Sequence, residues 1–173
     1  MRSHKGMLAA TALTLTTALA LGPAAIATDL PQSRSLSLHS GWKGVGEVVQ
    51  VGENHIFGAG NFWGVTFNDA GRGPLHKGAV VCPYTLELMN GAGPAQGLCA
   101  WGDSDGDKFF TSWTGKVATS GALAGILKVT GGTGKFADMS GGGKWMPIGN
   151  FPPSGMPNML NGCNHEWGSL NMK

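Results

Sequence analysis

Gly131-Gly132-Thr133-Gly134-Lys135-Phe136 stands between an apolar run, Gly121 to Thr130, and a second glycine cluster, Gly141 to Gly143. Upstream of it Leu123, Gly125, Leu127 and Val129 alternate with Ala122, Ala124, Ile126, Lys128 and Thr130, the two-residue period of a strand. Glycine tolerates the positive φ of tight turns. The six residues therefore read as a corner between two strands of a curved antiparallel sheet. A phosphate-loop reading fails, because a Walker loop needs G-x-x-x-x-G-K-[ST] leading into a helix. Here Val129 takes the place of the first glycine, Phe136 follows the lysine, and the flanks alternate like strands. Gly131, Gly132, Thr133 and Gly134 are thus expected to form a structural turn, with Lys135 pointing to water.

The same period extends outward in both directions. Trp42 to Val51, His55 to Phe67, His76 to Met89, Gln96 to Trp101, Lys108 to Val117 and Lys135 toward Trp145 all read as strands, separated by Gly, Pro, Asn and Asp turn signals. In the second of these, Ile56, Gly58, Gly60, Phe62, Gly64 and Thr66 share one face, and its glycines leave room for a bulky side chain from across a core. Pro83 lacks an N–H for a ladder and predicts an edge, bulge or bend. Cys163 to Leu170 can supply a closing strand. The pattern predicts an all-β chain forming one closed antiparallel barrel of about eight strands, calycin-like, since closure removes exposed edges. Pro147 to Asn161, with its prolines, reads as a long loop near the C-terminus.

The chain has 173 residues, enough for one domain. Arg2 and Lys5 precede an apolar stretch from Met7 to Ile26, and Ala25-Ile26-Ala27 has the small-x-small form of a cleavage site. Residues 1–27 are therefore expected to be a signal peptide, 28–41 a flexible leader or loosely tied first strand, and 42–173 the barrel domain. The product would be exported, periplasmic or secreted, with no stable membrane insertion after cleavage. Of 12 Lys/Arg two lie in the signal peptide, which leaves ten against 10 Asp/Glu. Without a basic excess or cluster, a nucleic-acid partner is disfavoured. Export would place Cys82, Cys99 and Cys163 in an oxidising compartment. Cys82 and Cys99 flank one candidate hairpin and are expected to pair, leaving Cys163 over.

The order Cys82-Pro83, Cys99, Asp105-Gly106-Asp107-Lys108 and the GGTGKF turn resembles a group of small exported bacterial proteins of unassigned role. The turn is also similar to that of the allene oxide cyclase and dirigent barrel superfamily, over roughly Trp42 to Trp145. The resemblance implies an eight-stranded barrel with a central cavity, often oligomeric, so a homo-oligomer is one expectation. It also implies that such a cavity holds a reactive intermediate in one conformation. No catalytic residue of those families matches a position here.

Other constellations carry chemistry of their own. Asp103, Asp105 and Asp107 place three carboxylates in five residues, a pattern that can serve a calcium ion or simply cap a hairpin loop. Met156, Met159, Cys163 and His165 offer thioether, thiolate and imidazole donors suited to copper, although methionine is more often a core filler. The five histidines show no metal-binding spacing. Glu47 and Glu87, in half-apolar strands, are the catalytic candidates if either points into a barrel. Trp63, Phe109 and Trp113 are candidates to line a pocket, against the plain role of core aromatics.

Three functions follow in order. The first is a non-enzymatic barrel that binds a small apolar molecule or interacts with the envelope, with no cofactor. The second is a cyclase, isomerase or steering protein, resting on the resemblance. The third is copper handling by the C-terminal Met/Cys/His residues.

Overall fold

A computed structural model describes residues 32–150 and 159–172. The expected signal peptide and Met156 lie outside the described residues. Eight strands follow one another: β1 (Gln32–Gly52), β2 (His55–Asn68), β3 (Gly78–Met89), β4 (Gly93–Gly102), β5 (Lys108–Val117), β6 (Leu123–Gly132), β7 (Ser140–Asn150) and β8 (Met159–Met172). Each pairs antiparallel with its sequence neighbour and β8 returns to β1, so the sheet closes into a barrel. The closed antiparallel barrel predicted from alternation and turn spacing is the architecture observed.

β1 runs for 21 residues because it must pair twice. Its first part faces β8, from Gln32↔Met172 to Val45↔Met159, and its later part faces β2, from Leu38↔Asn68 to Gly52↔His55. Residues 32–41 are therefore ladder, the strand alternative of the leader reading. Leu36 and Leu38 turn inward from that polar segment, and Leu38 is buried. At the other end β7 continues to Asn150 and β8 begins at Met159. The loop expected over 147–161 is shortened at both ends, and its middle lies outside the described residues.

The inward faces carry the aromatics. Trp101, Phe109, Trp113 and Trp145 are buried, with Val80, Cys82, Cys99 and Val129 among them. Glycines on neighbouring strands make room for them: a Cβ at Gly46 or Gly60 would lie within 3 Å of the Tyr84 hydroxyl, and one at Gly97 would strike the Trp113 indole. The glycine-rich face of β2 is thus the inner face, as its spacing suggested. Its odd-numbered residues point outward, and Trp63 is 46% exposed. Trp63 as a pocket residue is therefore corrected: the inside of β2 is taken by its even-numbered residues, among them Gly58, Gly60, Phe62, Gly64 and the buried Thr66.

Cys82 and Cys99 form the expected disulfide. The flanking pairs Val81↔Ala100 and Tyr84↔Gly97 place them opposite each other, where the β3–β4 ladder lapses beside Pro83. The covalent bond holds the sheet together where proline cannot donate.

The GGTGKF segment is a corner, but a busier one than a bare turn. Gly131 sits at a bulge against Phe110, Gly134 takes φ 52°, and Gly134–Phe136 form one turn of 3₁₀ helix. Phe136 is 1% exposed and packs 5.7 Å from Phe109, closing this end of the barrel with Leu75 and Met139. Lys135 does not simply point to water. Its Nζ bridges Asp103, at 2.7 Å, and Asp105, while its backbone N–H donates to Asp107 Oδ2 at 3.1 Å. Of the two readings of the three carboxylates, the loop cap is present, with Asp103 Oδ1 accepting from the Ser104 N–H at 2.8 Å and Asp105 Oδ1 from the Asp107 N–H at 3.2 Å, and the same carboxylates fasten the β4–β5 corner to the β6–β7 corner.

Candidate functional site

The end closed by Phe136 leaves a cavity in the opposite half of the barrel. It has a volume of about 350 Å³ and is lined mainly by aromatic and apolar side chains, among them Trp42, Phe62, Trp113, Leu123 and Trp145. It reaches the exposed Ser120 and Gly121 of the β5–β6 turn, which gives it an approach from outside. The size and the apolar wall with few polar groups are those of a small-molecule site. The Cys82–Cys99 disulfide forms part of the wall. A second void of about 40 Å³ lies between this cavity and the closed end; Phe109 borders that void. Of the three predicted pocket aromatics, then, Trp113 lines the cavity, Phe109 stands below it, and Trp63 is outside.

Among the polar groups in the apolar wall, four have an atom without a protein partner. Among the described residues, the buried side-chain atoms lacking a hydrogen bond include Trp42 Nε1, Trp145 Nε1, Asn164 Oδ1 and Glu166 Oε2. All four residues line the cavity. Orphaned buried polar atoms cost about 1–3 kcal/mol each, so their gathering on one cavity is a departure that calls for a function. Two indole N–H donors, an amide oxygen and a carboxyl oxygen thus belong to residues of one cavity wall.

Glu166 stands out among them. β8 turns it inward, where it is 6% exposed. Ser40 Oγ on β1 donates to its Oε1 at 2.5 Å. Burial pushes its pKa up to about 7, against the opposing pull of the Ser40 hydrogen bond. A carboxyl in this state is about half protonated near pH 7, and in its protonated form it can donate as well as accept.

The carboxylates chosen from sequence are elsewhere. Glu47 and Glu87 both face outward and are exposed. Glu87 pairs with His55 Nε2 at 2.8 Å. As catalytic candidates they are corrected: in a barrel the inward parity on β1 and β3 belongs to Gly46, Val48, Leu86 and Leu88. The signal for Glu166 was present in the alternation Gly162, Asn164, Glu166, Gly168, Leu170, but only one of those five is apolar. Of the proposed copper donors, Cys163 is a free thiol of intermediate exposure, and His165 stacks on His39 of β1 at 4.7 Å between ring centroids. Met159 begins β8, and its side chain lies outside the described residues.

No family model matches the chain, and no curated protein or solved structure matches it. Among the described residues no helix is long and apolar enough to cross a membrane.

Proposed function

We propose that the protein is an exported barrel that holds a small, largely apolar molecule with one polar end, such as a hydroxyl or carboxylic acid. The observation that carries this reading is that Trp42, Trp145, Asn164 and Glu166, each with a buried atom lacking a protein partner, all belong to the wall of the 350 Å³ cavity. The apolar wall supplies affinity at about 25 cal/mol per Å² covered, and the four polar atoms supply orientation. The disulfide is compatible with an extracytoplasmic location.

The test is native mass spectrometry of protein purified without detergent. A stoichiometric small molecule is expected, with retention at least tenfold weaker in Asn164→Leu/Glu166→Leu, which removes two of the polar partners. Empty protein from independent preparations, or retention indifferent to both substitutions, contradicts the reading.

A cyclase, isomerase or steering reaction is the second reading. It needs an inward polar group beside an apolar guest, and Glu166 occupies that place in the geometry. The fate of the guest separates the two: a binder returns it unchanged, whereas an enzyme converts it. An envelope interaction would instead use the outward Phe57, Trp63, Val65 and Phe67, all exposed.

A further inference from the structure

Barrel closure also assembles a donor set on the outer wall, from residues that do not line the cavity. β1 and β8 pair so that His39 and His165 stand directly opposite each other. Their rings are stacked, with centroids 4.7 Å apart and planes 14° from parallel. Asp69, just beyond β2, reaches back over the same spot. Its backbone N–H donates to the Ser37 carbonyl at 3.0 Å, which fixes the approach. One carboxylate oxygen meets His39 Nδ1, and the other lies 3.4 Å from His165 Nε2 and accepts from Ser37 Oγ. One ligand atom from each of His39, Asp69 and His165 falls within 4.8 Å of the others.

The geometry points to a divalent metal site built by His39, Asp69 and His165, taking a borderline ion of the zinc class. Two imidazole nitrogens and a carboxylate oxygen are a donor set that zinc accepts at about 2.0–2.2 Å, with a water or other small ligand completing the shell. Tetrahedral bonds of that length hold ligand atoms about 3.4 Å apart. The His165–Asp69 spacing of 3.4 Å already has that value. His39 Nδ1 and Asp69 are in direct hydrogen-bond contact and Ser37 Oγ lies 2.8 Å from His165 Nε2, so an ion would enter by displacing these hydrogen bonds as the partly exposed rings turn.

The ion would join β1, the β2–β3 loop and β8, which is the seam where the chain's first and last strands meet. Binding there favours the closed barrel over the unfolded chain by mass action. Trp167, whose ring stacks 5.0 Å from His165, provides a reporter.

The experiment uses untagged protein stripped with chelator and titrated with zinc chloride by calorimetry. One ion per chain is expected, with micromolar or tighter affinity, a zinc-dependent rise in Tm, and at least tenfold weaker binding in His39→Ala and in His165→Ala. Circular dichroism of the metal-free variants confirms that both fold. Copper(II) is expected to bind more tightly than zinc and to quench Trp167, with the quenching lost in Trp167→Phe. Cys163→Ser should bind zinc as the parent does. No zinc binding below about 100 μM overturns the site, as does binding that survives both histidine variants or is lost in Cys163→Ser.

Discussion

Glu166 is a carboxyl that the fold keeps away from water, and this fixes how its protonation couples to stability. Its folded pKa of about 7 lies above the ordinary 4.5. The folded state therefore binds the extra proton, and stability is fully present below about pH 4.5 and lost as pH rises through about 7. The difference corresponds to something on the order of 3 kcal/mol. The groups that act on it electrostatically are His39 and Asp69, on strands and a loop packed beside it. Urea unfolding at pH 5 and pH 8, with chelator present throughout, should show this loss in the parent and little of it in Glu166→Gln. Equal pH dependence in the two proteins would mean that Glu166 is not buried as described. The residue escaped sequence reading because its neighbours on the inner face, Gly162, Asn164 and Gly168, gave no apolar stripe to mark that face. His39, Asp69 and His165 were hidden for a different reason: nothing local links them, and only the return of β8 to β1 brings them together.

At the scale of elements, the GGTGKF corner was legible as a turn but not as a plug and fastener. Glycine content announces the bend, whereas the partner loop that Lys135 and Phe136 meet is decided by the barrel's register. Phe136→Ala should cost about 3–5 kcal/mol in chemical denaturation, the range for emptying a buried aromatic site. Lys135→Met leaves the Asp103 carboxylate, only 5% exposed, without its counter-charge. The loss should be about 1 kcal/mol, modest because the lysine itself is 39% exposed. The Asp105 pKa is lowered by its hydrogen bond with Lys135, so this fastening holds above about pH 4 and weakens as pH falls below it. Between β3 and β4 the disulfide was readable from hairpin spacing, because the two cysteines flank one turn. Reducing it should remove about 3 kcal/mol. A smaller loss, below about 0.5 kcal/mol, would show that the ladder at Pro83 holds without covalent help.

For the whole molecule, alternation and turn spacing were sufficient to predict a closed barrel, but they left conflicting signals about which face of a strand looks inward. Strand β2 shows why: Trp63, Phe57 and Phe67 make its outer face look like a core stripe, while the true inner face is half glycine. Packing space, not hydrophobicity, decides the parity, since Tyr84 needs the room that Gly46 and Gly60 leave. The same trade of side chains for space leaves the hollow on which the central claim rests. Its most direct test is the tryptophan indole region of a ¹⁵N–¹H spectrum, recorded while a medium-chain fatty alcohol, a fatty acid and a simple phenol are titrated in turn. Saturable shifts of the Trp42 and Trp145 indole N–H signals with at least one probe, and unmoved signals from Trp63 and Trp167, are the predicted result. Inner indoles that do not respond to any of the three, or shifts confined to the outer ones, would contradict a ligand-holding barrel.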